Sequence, residues 1–336
     1  MTNKYRDIIA YRLTLGILCI TGLSLGCSFF GWPIFLELLS HFKVQYFLGV
    51  LVLCCWLVFR KPKKLLFVGL FCLAILAADI IPWYLPQAAT AGTAPANFRI
   101  FLSNVNLDNP NYDKVISLVK QEQPDLAVFQ EITQTWVQQL EPLKEIFPYS
   151  MVQPKKLYNL GIAVFSKQPL EAPTLEFLAS REQATILKDI TINGQVISIL
   201  ATKTKPPHKP DLFQWRNQQL EATSQYVKSV QTPVVVIGDL NITMWSPYYR
   251  QTIGQTHLKN ARQGFGILPS WPTARAYSGK LPPFLPLLFS VPIDHCLVSP
   301  DIQVVNIRTG PDVGSDHRPL IVDLAIKRIT TETQSW

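Results

Sequence analysis

The segment PVVVIGDLN, residues 233–241, decides the fold of the second half of this chain. Pro233–Ile237 is a short Val-rich run, which predicts a strand buried on both faces. Asp239 and Asn241 follow it within a few residues. A buried strand that ends in a carboxylate and an amide places polar chemistry at the edge of a sheet.

Four other segments have the same arrangement of polar residues at the end or start of a predicted strand. They are Asn104 after Phe98–Ser103, Gln130-Glu131 after Leu126–Phe129, Asp294-His295 at the start of a strand, and Ser315-Asp316-His317 before Leu320–Leu324. One such carboxylate is commonplace as a helix cap. Five segments built from Asn, Glu, Asp and His indicate convergence on a hard cation and an oxygen-rich substrate.

The region around these segments alternates between strand and helix patterns. Further strands are predicted at Gly161–Ser166, Gln183–Ile190, Gln195–Thr202, Ile293–Val298, Ile302–Arg308 and Leu320–Ile326, and helices at Asn111–Gln121 and Leu212–Val227. Asn193-Gly194 is a two-residue hairpin signal. Strands dominate and helices intervene, so the predicted fold class is α/β, a two-sheet α/β sandwich with outer helices.

The first 90 residues have a different composition. Three apolar runs, at about 13–31, 44–59 and 65–81, predict three transmembrane helices. One such run could be a buried core helix, but three in a row separated by short charged links argue against it, and against a cleaved signal peptide. The predicted organisation is a membrane anchor at 1–86, a linker at 87–96, a catalytic domain at 97–328 and a tail at 329–336.

Basic residues indicate the orientation of these helices. Lys4, Arg6 and Arg12 precede the first span, and four more Lys and Arg residues lie between the second and third. Both basic segments are therefore expected on the cytoplasmic side of the cell membrane, with the catalytic domain on the outer side. Residues 1–90 account for +5 of the net charge of +8, which leaves only +3 for the remainder and little support for a nucleic-acid-binding surface.

Cysteine usage excludes two kinds of site. Five of the six cysteines fall within or beside the apolar runs, and only Cys296 lies in the predicted catalytic domain. An intradomain disulfide and a cysteine-based zinc site are therefore both excluded in that domain.

The motifs LSNV, QE, GDLN, IDH and GSDHRP, in this order, resemble the endonuclease/exonuclease/phosphatase superfamily. The resemblance covers about Phe98–Ile326, and GDLNITMWSPYYR followed by GFG and SWP looks like its membrane-anchored bacterial branch. It implies a deoxyribonuclease I-like fold and phosphoester hydrolysis that depends on Mg²⁺ or Mn²⁺.

The resemblance also implies a role for individual residues. Glu131, assisted by Asn104, would hold the metal. Asp239 would orient or deprotonate the attacking water, and Asn241 would donate its amide to the phosphorane-like state. His317, with Asp316 beside it, would contact the phosphate or act as base, and Asp294 would support the metal or a histidine.

The family usually has a histidine where this sequence has Lys203, in LATKTKPP. A lysine can clamp a phosphate but stays protonated unless strongly desolvated. At the other positions a structural role is the alternative to a catalytic one. It would be a helix cap for Glu131, an Asx turn for Asp239 and Asn241, and a structural pair for His317 and Asp316.

Several other side chains are given no catalytic part. Trp271 is interpreted as a core residue, and His41, His208 and His257 as surface or interfacial residues. The segment Leu281–Phe289, LPPFLPLLF, contains three prolines, which disfavour a regular helix or central strand. Its apolar side chains either cover the domain's own core or dip into the outer leaflet.

The predicted function is hydrolysis of a phosphodiester or phosphomonoester by a metal-assisted activated water. The alternative is a membrane-tethered, non-catalytic phosphate- or lipid-binding module that retains the fold. The expected partners are a phosphoester substrate (nucleic acid, lipid head group or small phosphate ester) and membrane lipid, with no obligate protein partner.

Overall fold

In the computed structural model the N-terminal part of the chain is a bundle of apolar helices, and the remainder is built on two sheets. The structure describes residues 3–60, 63–86, 95–154, 161–176, 185–276 and 280–327. Most of the predicted linker and all of the predicted tail lie outside these ranges.

The N-terminal bundle contains the three predicted apolar segments. Its helices are α1 (Asn3–Phe30), α2 (Ile34–Ser40), α3 (Lys43–Arg60) and α4 (Lys63–Ala78). The candidate spans Asp7–Phe30, Lys43–Arg60 and Lys63–Trp83 are long and apolar enough to cross a membrane. The short helix α2, between the first two spans, was not predicted.

Two six-stranded sheets form the rest of the structure. The first has the order β11-β12-β1-β2-β4-β3, with β1 (Phe98–Asn104), β2 (Leu126–Gln130), β3 (Tyr149–Gln153), β4 (Ile162–Ser166), β11 (Gln303–Thr309) and β12 (Leu320–Ala325). The second has the order β5-β6-β7-β8-β10-β9, with β5 (Glu171–Glu176), β6 (Thr185–Ile192), β7 (Gln195–Thr202), β8 (Val234–Asp239), β9 (Lys259–Asn260) and β10 (Asp294–Val298).

The sheets pack face to face, with helices on their outer surfaces. These helices are α5 (Tyr112–Glu122), α6 (Gln134–Gln139), α7 (Pro210–Ser229) and α8 (Pro247–Thr256), with a 3₁₀ turn at Glu141–Glu145. The chain also contains a 3₁₀ turn at Ile81–Trp83, after α4, and a short helical turn α9 (Phe284–Leu288). The core between the sheets takes Ile100 and Val128 from one sheet and Ile199 and Val235 from the other, all buried. The predicted two-sheet α/β sandwich is confirmed.

Turn chemistry and burial explain why most of the predicted strands are found. Asn193 and Gly194 both have positive φ, at 52° and 80°, as a tight hairpin between β6 and β7 requires. The run Val234–Ile237 is buried throughout, in agreement with its continuous apolar pattern.

The proline-rich segment 281–289 differs from the prediction because it contains the helical turn α9. Pro286 is its third residue, where a backbone N–H has no partner inside the helix, so the ring is tolerated. Phe284 and Leu288 on this turn are 64% and 59% exposed. The interpretation that these apolar side chains cover the domain's own core is therefore wrong.

A buried ion pair joins the helical bundle to the sandwich. Glu37 of α2 and Arg216 of α7 are both fully buried, and Arg216 Nη1 lies 3.0 Å from Glu37 Oε1. Burial alone would raise the pKa of Glu37, but His41 and Arg216 beside it lower that pKa to about 2. The hydroxyl of Ser246 donates to the same carboxylate oxygen at 2.7 Å.

We expect Arg216→Met to lower the free energy of unfolding by about 3–5 kcal/mol, because it leaves Glu37 as an uncompensated buried charge. Arg275→Met is the matched control. Arg275 pairs with Asp312 at the surface, both about half-exposed, and such a pair contributes only about 0–1 kcal/mol. Denaturant unfolding of the full chain in detergent micelles measures both, and equal losses would contradict a buried role for the pair.

Candidate active site

The predicted site residues meet because parallel strands in both sheets end at the same edge. β1 and β2 are parallel, and their register sets Asn104 beside Gln130, with Glu131 next in the chain. β7 and β8 are also parallel, and Ala201 pairs with Ile237. Lys203 and Asp239, each two residues further on, therefore emerge side by side.

Antiparallel neighbours bring the remaining groups to this edge. β10 runs against β8, with Asp294 opposite Asp239. β12 runs against β1, with Leu320 opposite Leu102, so the residues just before β12 lie near the end of β1. The segments around residues 104, 131, 239, 294 and 317 therefore converge, as the strand-end pattern predicted, and Lys203 joins them.

Gln130 fastens the two sheets together at the site. Its side-chain nitrogen donates to the carbonyl of Thr202 at 2.8 Å, and its side-chain oxygen accepts from the backbone N–H of Asp239 at 2.9 Å. Gly238 lies between them with φ +153°, and a Cβ there would stand 1.7 Å from the Thr202 carbonyl oxygen. Only glycine fits this close approach.

Lys203 is buried between two carboxylates. Its Nζ lies 2.5 Å from Asp239 Oδ2 and 2.9 Å from Glu131 Oε1. Burial would lower the pKa of Lys203, but the two carboxylates raise it instead, so the ammonium is retained. Burial would likewise raise the pKa of Glu131, but Lys203 and His317 lower it to about 2.

His317 and Asp294 form a second buried pair. His317 Nδ1 lies 2.8 Å from Asp294 Oδ2, and its Nε2 lies 3.9 Å from Asp239 Oδ2. Burial would lower the pKa of His317, but Asp294 and Asp239 raise it to about 9. The imidazole therefore carries a positive charge at neutral pH, and Asp294 fixes its orientation.

Asn104 bridges the two carboxylates that flank Lys203 through its amide nitrogen. Nδ2 donates to Glu131 Oε1 at 3.0 Å and to Asp239 Oδ2 at 3.1 Å. Its amide oxygen accepts from the backbone N–H of Asn106 at 3.2 Å. In this arrangement Asn104 offers donors to the carboxylates, and its assistance to a metal stays a prediction.

Asp239 forms the predicted Asx turn with one of its oxygens, and the other oxygen faces the rest of the site. Oδ1 accepts from the backbone N–H of Asn241 at 3.0 Å, which is an Asx turn, while Oδ2 faces Lys203 and Asn104. The amide of Asn241 donates to the Thr204 carbonyl at 3.0 Å. An amide has two N–H groups, so one donor remains for a ligand.

Two residues of the site have a left-handed backbone conformation. Glu131 and Asn241, each just after a strand, have φ of 62° and 48°. Such a conformation costs free energy in residues other than glycine. It persists where the surrounding structure enforces it, and it is frequent at functional sites. The helix-cap alternative for Glu131 is unsupported, because the described cap of α6 is the hydroxyl of Thr133.

Asp316 is held by two neighbours rather than by His317. Its Oδ1 accepts from Asn106 Nδ2 at 2.7 Å and its Oδ2 from the indole N–H of Trp271 at 3.2 Å. The Trp271 and His317 rings lie 6.4 Å apart. The assignment of Trp271 to the core is therefore wrong. Its proximity to the site depends on a contact across 45 positions, which no local pattern reports.

These residues line a cavity of about 520 Å³. Glu131, Lys203, Asp239 and His317 form its polar floor. His41, predicted to be a surface or interfacial residue, lines it too, and its Nδ1 lies 2.9 Å from Thr243 Oγ1. The volume falls within the range of about 300–1,000 Å³ that is typical of small-molecule sites.

The donor set fits a hard divalent cation. Among the described residues that line the cavity, the three carboxylates of Glu131, Asp239 and Asp316 outnumber the positive side chains Lys203 and His317. Carboxylate oxygens of Asp239 and Asp294 lie within 4.8 Å of each other. Oxygen-rich, net-negative sites of this kind suit Mg²⁺ or Mn²⁺.

Comparison with solved structures finds the same fold. An endonuclease/exonuclease/phosphatase from Beutenbergia cavernae is 17% identical with a TM-score of 0.55, and the match covers 69% of this chain and 72% of that one. TDP2 of D. rerio complexed with single strand DNA product is 16% identical with a TM-score of 0.57, covering 68% and 98%. A mannosyl-6-phosphatase of Bacteroides thetaiotaomicron is 13% identical with a TM-score of 0.53, covering 68% and 100%.

Sequence comparison gives the family. No curated protein matches the chain. The family model described as Endonuclease/Exonuclease/phosphatase family matches residues 102–317, which run from the end of the first strand to the site histidine. That is well over half of the chain, and the chain therefore belongs to the endonuclease/exonuclease/phosphatase family.

Proposed function

We propose that this protein hydrolyses phosphoesters with the help of Mg²⁺ or Mn²⁺. The observation that carries the proposal is that Lys203, Asp239 and His317 meet on the floor of one cavity, where Lys203 pairs with Asp239 and His317 pairs with the buried Asp294 behind it. Among the proteins of similar fold, one was solved with a single-strand DNA product and another is a mannosyl-6-phosphatase, so both phosphodiesters and phosphomonoesters are represented.

Asp239 is the proposed base. A water oxygen attacks phosphorus, its proton passes to Asp239, and the ester P–O bond on the opposite side breaks. Burial raises the pKa of Asp239 although Lys203 and His317 act against it, and a raised pKa makes a carboxylate a better proton acceptor. Asn241 offers its remaining amide N–H to the phosphoryl oxygens.

Two cations of the chain face the phosphate. His317, protonated because Asp294 and Asp239 raise its pKa, donates to a phosphoryl oxygen. Lys203 has three donors, of which Asp239 and Glu131 occupy two, so the third is available for the substrate. When bound, the divalent cation, held by Glu131 with Asn104, supplies positive charge to the phosphoryl oxygen and the leaving group.

One observation favours the second candidate, a non-catalytic phosphate-binding module. The Lys203 ammonium neutralises Glu131 and Asp239 directly, as a metal would. In that case the cavity would bind phosphate without turning it over. The two candidates differ in whether Asp239 is needed for a reaction.

We further propose that the catalytic domain lies on the outer face of the membrane. Basic residues cluster at one end of the spans, at Arg60, Lys63 and Lys64. Lys43, at the opposite end, is buried and its Nζ lies 3.0 Å from Asp79 Oδ2. Because Asp79 neutralises its charge, Lys43 contributes little to the charge difference between the two ends of the spans. The three basic residues at the other end decide it, so the positive-inside rule supports this orientation.

We expect the full chain to hydrolyse at least one member of a panel of DNA, RNA, sugar phosphates, lysophospholipid, sphingomyelin and inositol phosphates. Excess EDTA should abolish turnover and Mg²⁺ or Mn²⁺ should restore it. Asp239→Asn should lower kcat by about 10²–10⁴-fold, the usual cost of losing a general base. Asp301→Asn removes an exposed carboxylate away from the cavity and serves as control. Full turnover in EDTA would contradict the metal requirement, and full turnover in Asp239→Asn would rule out Asp239 as the base. No turnover of any member of the panel would overturn the hydrolase proposal.

For Lys203→Ala we expect kcat to fall by about 10²–10³-fold, the usual cost of one donor to developing charge. Lys203→His should recover part of the loss, since a protonated imidazole returns a donor to the same strand end. Lys205→Ala, two residues further on and outside the cavity, is the control and should keep wild-type rates. If Lys203→Ala also keeps them, the lysine has no part in the reaction.

Topology can be read with a reporter enzyme fused after Trp336. An alkaline phosphatase, active only outside the cytoplasm, should be active in this fusion, and a β-galactosidase, active only inside, should not. The opposite pattern would place the catalytic domain in the cytoplasm and overturn the outer-face proposal.

A further inference from the structure

One wall of the active-site cavity comes from outside the catalytic domain. Leu38 of α2 and Phe42, at the junction of α2 and α3, line the cavity together with Trp271, Val291 and Ile293. The polar floor thus lies beneath apolar walls, one of which is the segment that connects the first two membrane-spanning helices. The family match begins only at residue 102, so this wall is an addition to the family fold.

The connecting segment is fixed in place by buried polar contacts. Besides the Glu37–Arg216 pair, His41 contacts Thr243 at 2.9 Å. Arg216 also donates to the carbonyl of Asn241 at 3.1 Å, so the pair reaches a site residue. These buried contacts therefore hold the wall in a fixed position beside the site.

The rim beside this wall is apolar and open. Phe289 stacks edge-on against Phe42, with ring centroids 6.2 Å apart. Phe35 on α2 is 79% exposed, and Phe284 and Leu288 on α9 are also exposed. The α9 segment lies beside α3, since Gln45 donates to the carbonyl of Leu288 at 3.2 Å. Exposed apolar side chains mark an interaction site, and these lie beside helices apolar enough to cross a membrane.

Charge argues against a long polyanion as the ligand. Among the described residues that line the cavity, Lys203 is the one Lys or Arg, and its ammonium is already shared by two carboxylates. Nucleic-acid binding relies on several Lys and Arg contacts to successive phosphates. A single phosphate attached to an apolar group matches the cavity better.

We propose that the substrate is a membrane lipid phosphoester, whose phosphate occupies the polar floor while its apolar part runs along Leu38 and Phe42 toward the bilayer. This inference rests on the proposed phosphoesterase function and assigns its substrate class. The connecting segment selects the substrate by contact with the apolar part.

Two matched substrates test the inference with the full chain in dodecyl maltoside micelles. Methyl and hexadecyl p-nitrophenyl phosphate share the leaving group and the scissile P–O bond and differ only in the alkyl group. We expect kcat/KM for the hexadecyl ester to exceed that for the methyl ester at least about tenfold, the effect of burying one large apolar group. It should also exceed kcat/KM for a single-stranded oligonucleotide.

Variants of the wall should remove this preference. In Leu38→Ala and Phe42→Ala, kcat/KM for the hexadecyl ester should fall about tenfold more than kcat/KM for the methyl ester. Leu39→Ala, on the same helix but not lining the cavity, should change neither rate. The methyl ester rate also reports whether each variant is folded.

Photolabelling with a diazirine-bearing hexadecyl phosphate in the same micelles separates binding from turnover. Label on Phe42, Trp271 or Val291, competed by hexadecyl phosphate but not by methyl phosphate, is expected. Equal kcat/KM for the two esters, or a higher value for the oligonucleotide, overturns the lipid inference and leaves the hydrolase proposal standing. If no ester is cleaved but the cavity is labelled, hydrolysis fails and lipid binding stands; if neither occurs, both fail.

Discussion

Charge compensation in a place that excludes water is the constraint on which the site depends. Asp239 and Asp294 are almost completely buried, and an unpaired carboxylate in such a place costs several kcal/mol. Lys203 and His317 supply the opposing charges, and each contacts a carboxylate carried by another strand or loop. The ends of β7, β8 and β10 and the segment before β12 are therefore held in one arrangement, because separating any of them would leave a buried charge alone.

The sequence predicts those parts of the site that depend on where buried strands end. A polar residue placed directly after a buried strand, as Asp239 follows Val234–Ile237, must lie at a sheet edge, and parallel pairing makes such edges coincide. The hairpin at Asn193-Gly194 was equally local, since two successive positive φ values have a specific residue requirement. Fold class and strand ends follow from information contained in short windows of sequence.

What the sequence did not predict depends on contacts between distant windows. Trp271 is a large aromatic residue of the kind that usually lies in a core. The hydrogen bond from its indole N–H to Asp316 places it at the cavity. Helix α2 is too short for its period to be recognised, and its apolar residues match those of the neighbouring spans. The pairing of Glu37 with Arg216 has no local signature, since either residue alone is typical of a solvated surface. Lys203 was noticed as a departure from the family, but its position between two carboxylates required the register of two sheets.

The Glu37–Arg216 pair also has a consequence for the order in which the protein is made. Glu37 leaves the ribosome long before Arg216, so during synthesis its carboxylate has no guanidinium to meet. The connecting segment cannot settle against the sandwich until α7 has been translated and folded. The wall of the cavity is therefore completed late, and a nascent chain that stalls before α7 holds its apolar N-terminal helices without a closed pocket.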